Sequence, residues 1–189
     1  MRPVSSAVAA RLTALLLLPA VLGCDTAGMT DSIILVHTVD EDVSGEPIRF
    51  AFSSGDVSSG SLTAITCGCT LDIGAFLQSN SFSKAEILGA RITGARVKSV
   101  FPIGQRLNYL DEIRLTLVGG GSSVDVAGSD SFSSTQEKAL TVTSGNSVAA
   151  VLRASGFSAR LGIDPSATMG NTDYELEIEF TVEFEMEGI

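Results

Sequence analysis

Four groups of residues in this chain have types and spacings that could do chemistry. Cys67-Gly68-Cys69 places two thiols at i and i+2, on one face of an extended segment. Such a pair could hold a soft metal such as Cu(I), close into a strained disulfide, or pack as two small apolar side chains. A catalytic C-x-x-C pair has one more residue and a helix N-terminus, so structural roles are favoured over metal or redox chemistry. Asp40-Glu41-Asp42-Val43-Ser44-Gly45 has the opening of a calcium loop, with oxygen donors at positions 1, 3 and 5 and glycine at 6. Position 12 is Ala51, where an EF-hand needs a bidentate glutamate, so Asp40 and Asp42 are weak metal candidates and a hairpin turn is the better reading. Ser81-Phe82-Ser83-Lys84 spells S-x-x-K without the S-D-N or K-T-G partners of penicillin-recognising enzymes. His37 is the single histidine and lies inside an apolar run, so a triad or a multi-histidine site cannot be built within one chain. No catalytic residue and no cofactor is expected.

The elements that must carry these groups are mostly strands. Tyr174, Leu176, Ile178, Phe180, Val182, Phe184 and Met186 alternate with six glutamates and Thr181. Period-two alternation puts all the apolar groups on one face of a strand, whereas a helix would bury several carboxylates. Fourteen residues at ~3.4 Å each reach about 48 Å, which demands a sheet beside the strand and a second layer over it. The glutamates could form a solvated face, discourage edge pairing, or meet cations. Segment 84–114 supplies Lys84, Arg91, Arg96, Lys98, Arg106 and Arg114.

The other elements follow the same logic. Residues 32–39 are apolar on both faces and predict a central strand, and residues 40–47 an acidic turn. Residues 48–52 alternate, and 62–69 predict another strand. A short helix over 71–77 and a capping box between Ser83 and Glu86 are weaker signals. In 87–101 the charged residues slip phase near Gly94-Ala95, which predicts a bulge. Residues 113–117 form a half-buried strand, Gly119-Gly120-Gly121 end it, and Val124 and Val126 begin the return. A polar loop over 128–138, a strand over 139–143, a helix near 148–152 with Ser147 as N-cap, and a strand over 157–163 complete the pattern. The fold class expected is all-β, an antiparallel β-sandwich with one or two short helices.

The start of the chain gives an address. Arg2 and Arg11 precede an apolar run from Leu12 to Leu22 that is too short for a convincing membrane span. It ends in Val21-Leu22-Gly23-Cys24. This resembles the lipobox of bacterial lipoproteins, although Leu22 is bulkier than the residue usual at its position. The resemblance implies that residues 1–23 are a signal peptide, that Cys24 becomes an acylated (palmitate-type) mature N-terminus, and that 24–31 form a tether to a domain over 32–189. Two or three acyl chains anchor stably where one would be marginal. Asp25 follows the cysteine, a position that sorts lipoproteins between membranes in some bacteria, and the choice of inner or outer membrane stays open.

Among all 189 residues there are 12 basic and 22 acidic side chains, and losing Arg2 and Arg11 with the signal leaves a net −12. Such acidity argues against nucleic acid and against anionic headgroups. The expected function is a non-catalytic, lipid-anchored binding or structural module of the bacterial envelope, contacting the membrane through Cys24 and an envelope protein or glycan. The alternative is a metal-handling or redox protein using Cys67 and Cys69.

Overall fold

The glutamate-rich final strand is the centre of one sheet. The computed structural model describes residues 32–143, 145 and 147–188, so the signal peptide expected over 1–23, Cys24 and the tether expected over 24–31 lie outside the described residues. In chain order the described elements are β1 (Ile33–Val39), β2 (Arg49–Ser53), β3 (Thr63–Thr66), α1 (Gly74–Ser79), β4 (Ile87–Phe101), β5 (Leu110–Gly119), β6 (Ser122–Ser129), β7 (Glu137–Ala139), β8 (Thr141–Val142), α2 (Ala149–Leu152), β9 (Ser158–Pro165) and β10 (Asp173–Met186). Among the described residues they form two five-stranded antiparallel sheets. One runs β1-β10-β4-β7 with β2 also on β10, and the other runs β3-β9-β5-β6-β8. The fold is an antiparallel β-sandwich, as the alternation predicts.

All seven apolar residues of β10 are buried between the sheets, facing a core that includes Ile113, Leu115, Leu117, Leu161 and Ile163 from β5 and β9. Burying each large side chain contributes roughly 1.5–3 kcal/mol, which explains the strict alternation. β4 pairs along almost the whole of β10. Thr181 faces Gly94 while Val182 faces Ile92, so Thr93 is the extra residue of a bulge beside the glycine where the charge phase slips.

On the other edge of β10, β1 and β2 act as one interrupted strand. Val39 faces Phe180 and Arg49 faces Glu177, ten steps along this edge against three along β10. Seven residues are therefore looped out. The loop is closed at its base by the Ile48 N–H donating to the Asp40 carbonyl, 3.2 Å, and by a bridge between Glu41 and Pro47.

Several local expectations are corrected. β1 is an edge strand, not a central one: it pairs with β10 alone, and Ile33, Ile34 and Val36 are exposed. An apolar run on both faces signals double burial only if something covers both, and no described element covers the outer face. The strand expected over 62–69 ends at Thr66, before the cysteines. The helix expected over 71–77 begins at Gly74, whose N–H donates to the Asp72 carboxylate at 3.0 Å. The strand expected over 139–143 is divided: β7 pairs with β4, β8 pairs with β6, and buried Leu140 marks where the chain crosses between sheets. Ser147, expected as the N-cap, stands one residue before it. Val148 precedes α2, and the Ala149 N–H donates to the Ser147 hydroxyl at 3.4 Å.

The Ser83–Glu86 capping box is present, on a single 3₁₀ turn over Lys84–Glu86. The β5–β6 hairpin turns through Gly120 and Gly121, at φ +58° and +77°, the two positive values that a primed two-residue turn requires.

Ser81 is the one non-glycine at positive φ among the described residues, at +67°. It closes α1 as a Schellman motif: the Phe82 N–H reaches the Leu77 carbonyl (2.9 Å) and the Ser81 N–H reaches the Gln78 carbonyl (3.0 Å). Phe82 and Leu77 are both buried, the apolar contact that accompanies the motif. A left-handed L-residue costs roughly 1–2 kcal/mol that glycine does not. Ser81→Gly is therefore expected to stabilise the fold by about 0.5–1 kcal/mol, read as a rise in the midpoint of urea denaturation at unchanged slope. A fall in the midpoint would show that the Ser81 side chain contributes contacts of its own.

Candidate functional site

The outer face of the β10 sheet is the largest organised array of polar groups. Because β10 is central, its glutamates are flanked by β4 on one side and β2 on the other. Arg91 meets Glu183 at 2.6 Å, Arg96 meets Glu179 at 3.2 Å and Glu137 of β7 at 2.7 Å, and Lys98 lies 4.0 Å from Glu177. Arg49 of β2 forks between Glu175 (3.3 Å) and Glu177 (3.5 Å). The β4 cations are among those expected from segment 84–114. Arg49 lies outside that segment, and the signal for it in the sequence is its place between buried Ile48 and Phe50, which sends it outward. Of the other candidates, Lys84 pairs with Asp72 and Arg114 with Glu112. Under the looped-out segment lies a hollow of about 240 Å³ lined by Asp40, Glu41, Arg96, Lys98, Glu137, Glu177 and Glu179. Both of its basic groups are already matched by carboxylates of the same sheet.

The acidic loop is held by its own hydrogen bonds. Asp42 Oδ1 accepts from the Ser44 N–H (2.8 Å), the Ser44 hydroxyl (2.5 Å) and the Glu46 N–H (3.2 Å). Donation from Ser44 holds the Asp42 carboxyl below the usual carboxylate range. The Val43 N–H donates to the Thr70 carbonyl at 3.0 Å, which docks the loop on the segment after the cysteines. Asp42 is the organiser of a turn. Among the described residues, no three His, Cys, Asp or Glu side chains converge as a metal site.

Cys67 and Cys69 are joined by a disulfide, with Cys67 buried and Cys69 half-buried against the core. A bridge between residues two apart restricts the unfolded chain less than the about 3 kcal/mol of a fifteen-residue loop. The S-x-x-K residues are not a catalytic pair. Lys84 Nζ is occupied by the Asp72 carboxylate and by the carbonyls of Ala154 (2.6 Å) and Ser155 (3.4 Å), and Ser81 belongs to the helix stop. Cys24 lies outside the described residues.

His37 faces inward from β1 and stacks on Phe76 of α1, ring centroids 4.1 Å apart, with Phe76 in turn against Phe184. Burial lowers its pKa below the ordinary 6.5, partly opposed by Asp40. It is a packed imidazole that fastens α1 to the sheet.

The architecture defines a class: a two-sheet antiparallel β-sandwich whose outer face is a lattice of paired charges. No protein-family model matches the chain, and no curated protein is similar to it. Among solved structures it is similar to the VP2 subviral particle of infectious bursal disease virus, with 13% identity, a TM-score of 0.38, and coverage of 90% of this chain and 38% of that one. It is also similar to Desmodium yellow mottle tymovirus, with 10% identity, a TM-score of 0.28, and coverage of 98% and 97%. The chain thus spans well under half the length of the first.

Two measurements test these placements. Changing Glu177, Glu179 and Glu183 together to glutamine should keep the fold and cost at most about 1 kcal/mol per pair, since the cations are well exposed, 48% to 69%. The loss should vanish near 1 M salt, where screening acts within about 3 Å; a large loss that persists there would mean the lattice is buried in an interface. For His37 the native pKa is the lower one, so its contribution is complete above pH 6.5 and is lost as pH falls below it. Stability of the wild type should decline on acidification from pH 7.5 to 5 more steeply than that of His37→Phe. Parallel declines in urea melts would show that His37 is not the titrating group.

Proposed function

We propose that this chain is a lipid-anchored β-sandwich of the bacterial envelope, serving as a non-catalytic binding or structural module. The observation that carries the reading is the sequence Val21-Leu22-Gly23-Cys24 at the end of a short apolar run. Eight residues after the cysteine the described sandwich begins, so anchor and domain follow each other with room for only a short tether. The architecture supports the second half of the reading. The charges of the sheet face pair with one another, the acidic loop bonds to itself, Lys84 is held by Asp72 and two backbone carbonyls, and His37 stacks on Phe76.

Acylation of Cys24 puts several hydrocarbon chains at the N-terminus of the mature protein, and each buried CH₂ contributes about 0.8 kcal/mol to membrane attachment. Cys24→Ala should block processing of the precursor or release the domain from membranes, as read by fractionation and intact mass. A variant that matures normally and stays with the membrane, beside a wild type carrying no acyl mass, would overturn the assignment.

A further inference from the structure

Edge strands leave backbone donors and acceptors unpaired, and folded proteins blunt them with shortness, charge or proline. Most edges of this sandwich follow that rule: β7 and β8 have three and two residues, β3 has four, and β2 carries Arg49. β1 does not. It has seven residues, IILVHTV, with no acidic or basic side chain apart from half-buried His37.

On its outer face Ile34 is 54% and Val36 58% exposed, with Ile33 at 38% beside them and Leu88, at the β4 bulge of the same end, at 49%. The glutamates opposite β1 turn away from it. Glu183 reaches across to Arg91, and Glu185 leans over Gly89, its Oε2 3.2 Å from where a Cβ there would stand. The result is an apolar strip along β1, separated from Leu88 by the exposed Glu185 and located where the chain arrives from its N-terminal segment.

We propose that this strip is a membrane-docking edge: Ile33, Ile34 and Val36 rest in the headgroup–hydrocarbon boundary of the bilayer that holds Cys24. The inference rests on the lipid-anchor reading and adds an orientation to it. Ser32 lies eight steps along the chain from Cys24, and at about 3.3–3.6 Å per residue these reach less than about 29 Å. That keeps β1 beside the bilayer at high effective concentration. The opposite end, where Phe101 and Ile103 are exposed, lies beyond the full length of β4, roughly 50 Å for 15 residues. Uncharged apolar side chains suit a lipid boundary. The acidic surroundings favour zwitterionic over anionic headgroups.

The test supplies its own anchor. Every described element lies after residue 31, and Cys24 is the single cysteine outside the disulfide. A chain starting at Cys24 can therefore be coupled through that thiol to maleimide lipids in phosphatidylcholine vesicles. The sequence contains no tryptophan, so I34W, V36W and I103W each carry one reporter. On coupling, I34W and V36W should shift their emission to the blue and be quenched by lipids brominated in the upper acyl chain, while I103W does neither. Emission from I34W and V36W that stays at the water-exposed wavelength overturns the proposal. So does a blue shift that escapes the brominated lipids and grows with protein density, which would place a second copy on β1. The coupling does not depend on acylation in the cell. A failure of docking is therefore distinguishable from a failure of the lipid anchor, which Cys24→Ala reads separately.

Discussion

The rest of the structure depends on β10 being paired on both edges while one of its faces is fully buried. A central strand cannot turn away from its neighbours, so its side chains have only two destinations. Tyr174 to Met186 fill the interior, where the second sheet brings Ile113, Leu115, Leu117, Leu161 and Ile163 against them. The alternate positions must be compatible with water. Glutamate at five of those positions would bring like charges close together, and this is tolerable because β4 and β2 deliver arginine and lysine to four of them, Glu175, Glu177, Glu179 and Glu183. The buried row and the paired row are one constraint seen from two sides.

The length of β10 shapes its neighbours. At fourteen residues it exceeds what β1 or β2 covers alone, so the first edge is assembled from two segments with the acidic loop extruded between them. β4 spans nearly the same distance and absorbs a bulge at Thr93 to stay in phase. The short α1 then covers the β1 end, where Phe76 lies between His37 and Phe184. At the other end Tyr174 stacks on Tyr109 and Phe52, and its hydroxyl ties down Gly170. The Tyr109 phenol is pushed up to about 12 by burial, with the Ser99 hydroxyl partly offsetting this. Neither the Tyr109 nor the Ser99 hydroxyl makes a hydrogen bond of normal geometry among the described residues.

What could be read from the sequence follows from the same physics. β10 and β5 were legible because one-sided burial imposes period two, and the β4 bulge because charges mark the outer face and reveal a slip. β1 was misread because composition reports apolarity, not cover: Ile34 and Val36 look like core and stand on the surface. The i and i+2 spacing of the cysteines suits a strand, yet the chain leaves the sheet after Thr66 and the disulfide forms in the segment that follows. Division of 139–143 between two sheets was not legible, since a corner is set by the gap between layers and not by the pattern of five residues. Arg49 was visible as an outward residue, but its partners depend on a register set by the loop before it.

The charge balance explains what the glutamate row is for. Read alone, β10 is the most acidic stretch of a chain with net charge −10. In the sheet, Arg49, Arg91, Arg96 and Lys98 stand among Glu137, Glu175, Glu177, Glu179 and Glu183. Four cations against five carboxylates leave this patch close to neutral. The acidic excess of the chain must therefore lie mostly elsewhere, in segments such as the loop carrying Asp40, Glu41, Asp42 and Glu46. A basic partner approaching the sheet would have to displace cations already held at close range by the protein itself. The row therefore sets register within the sheet, and the unbalanced charge of the surface lies at the loops.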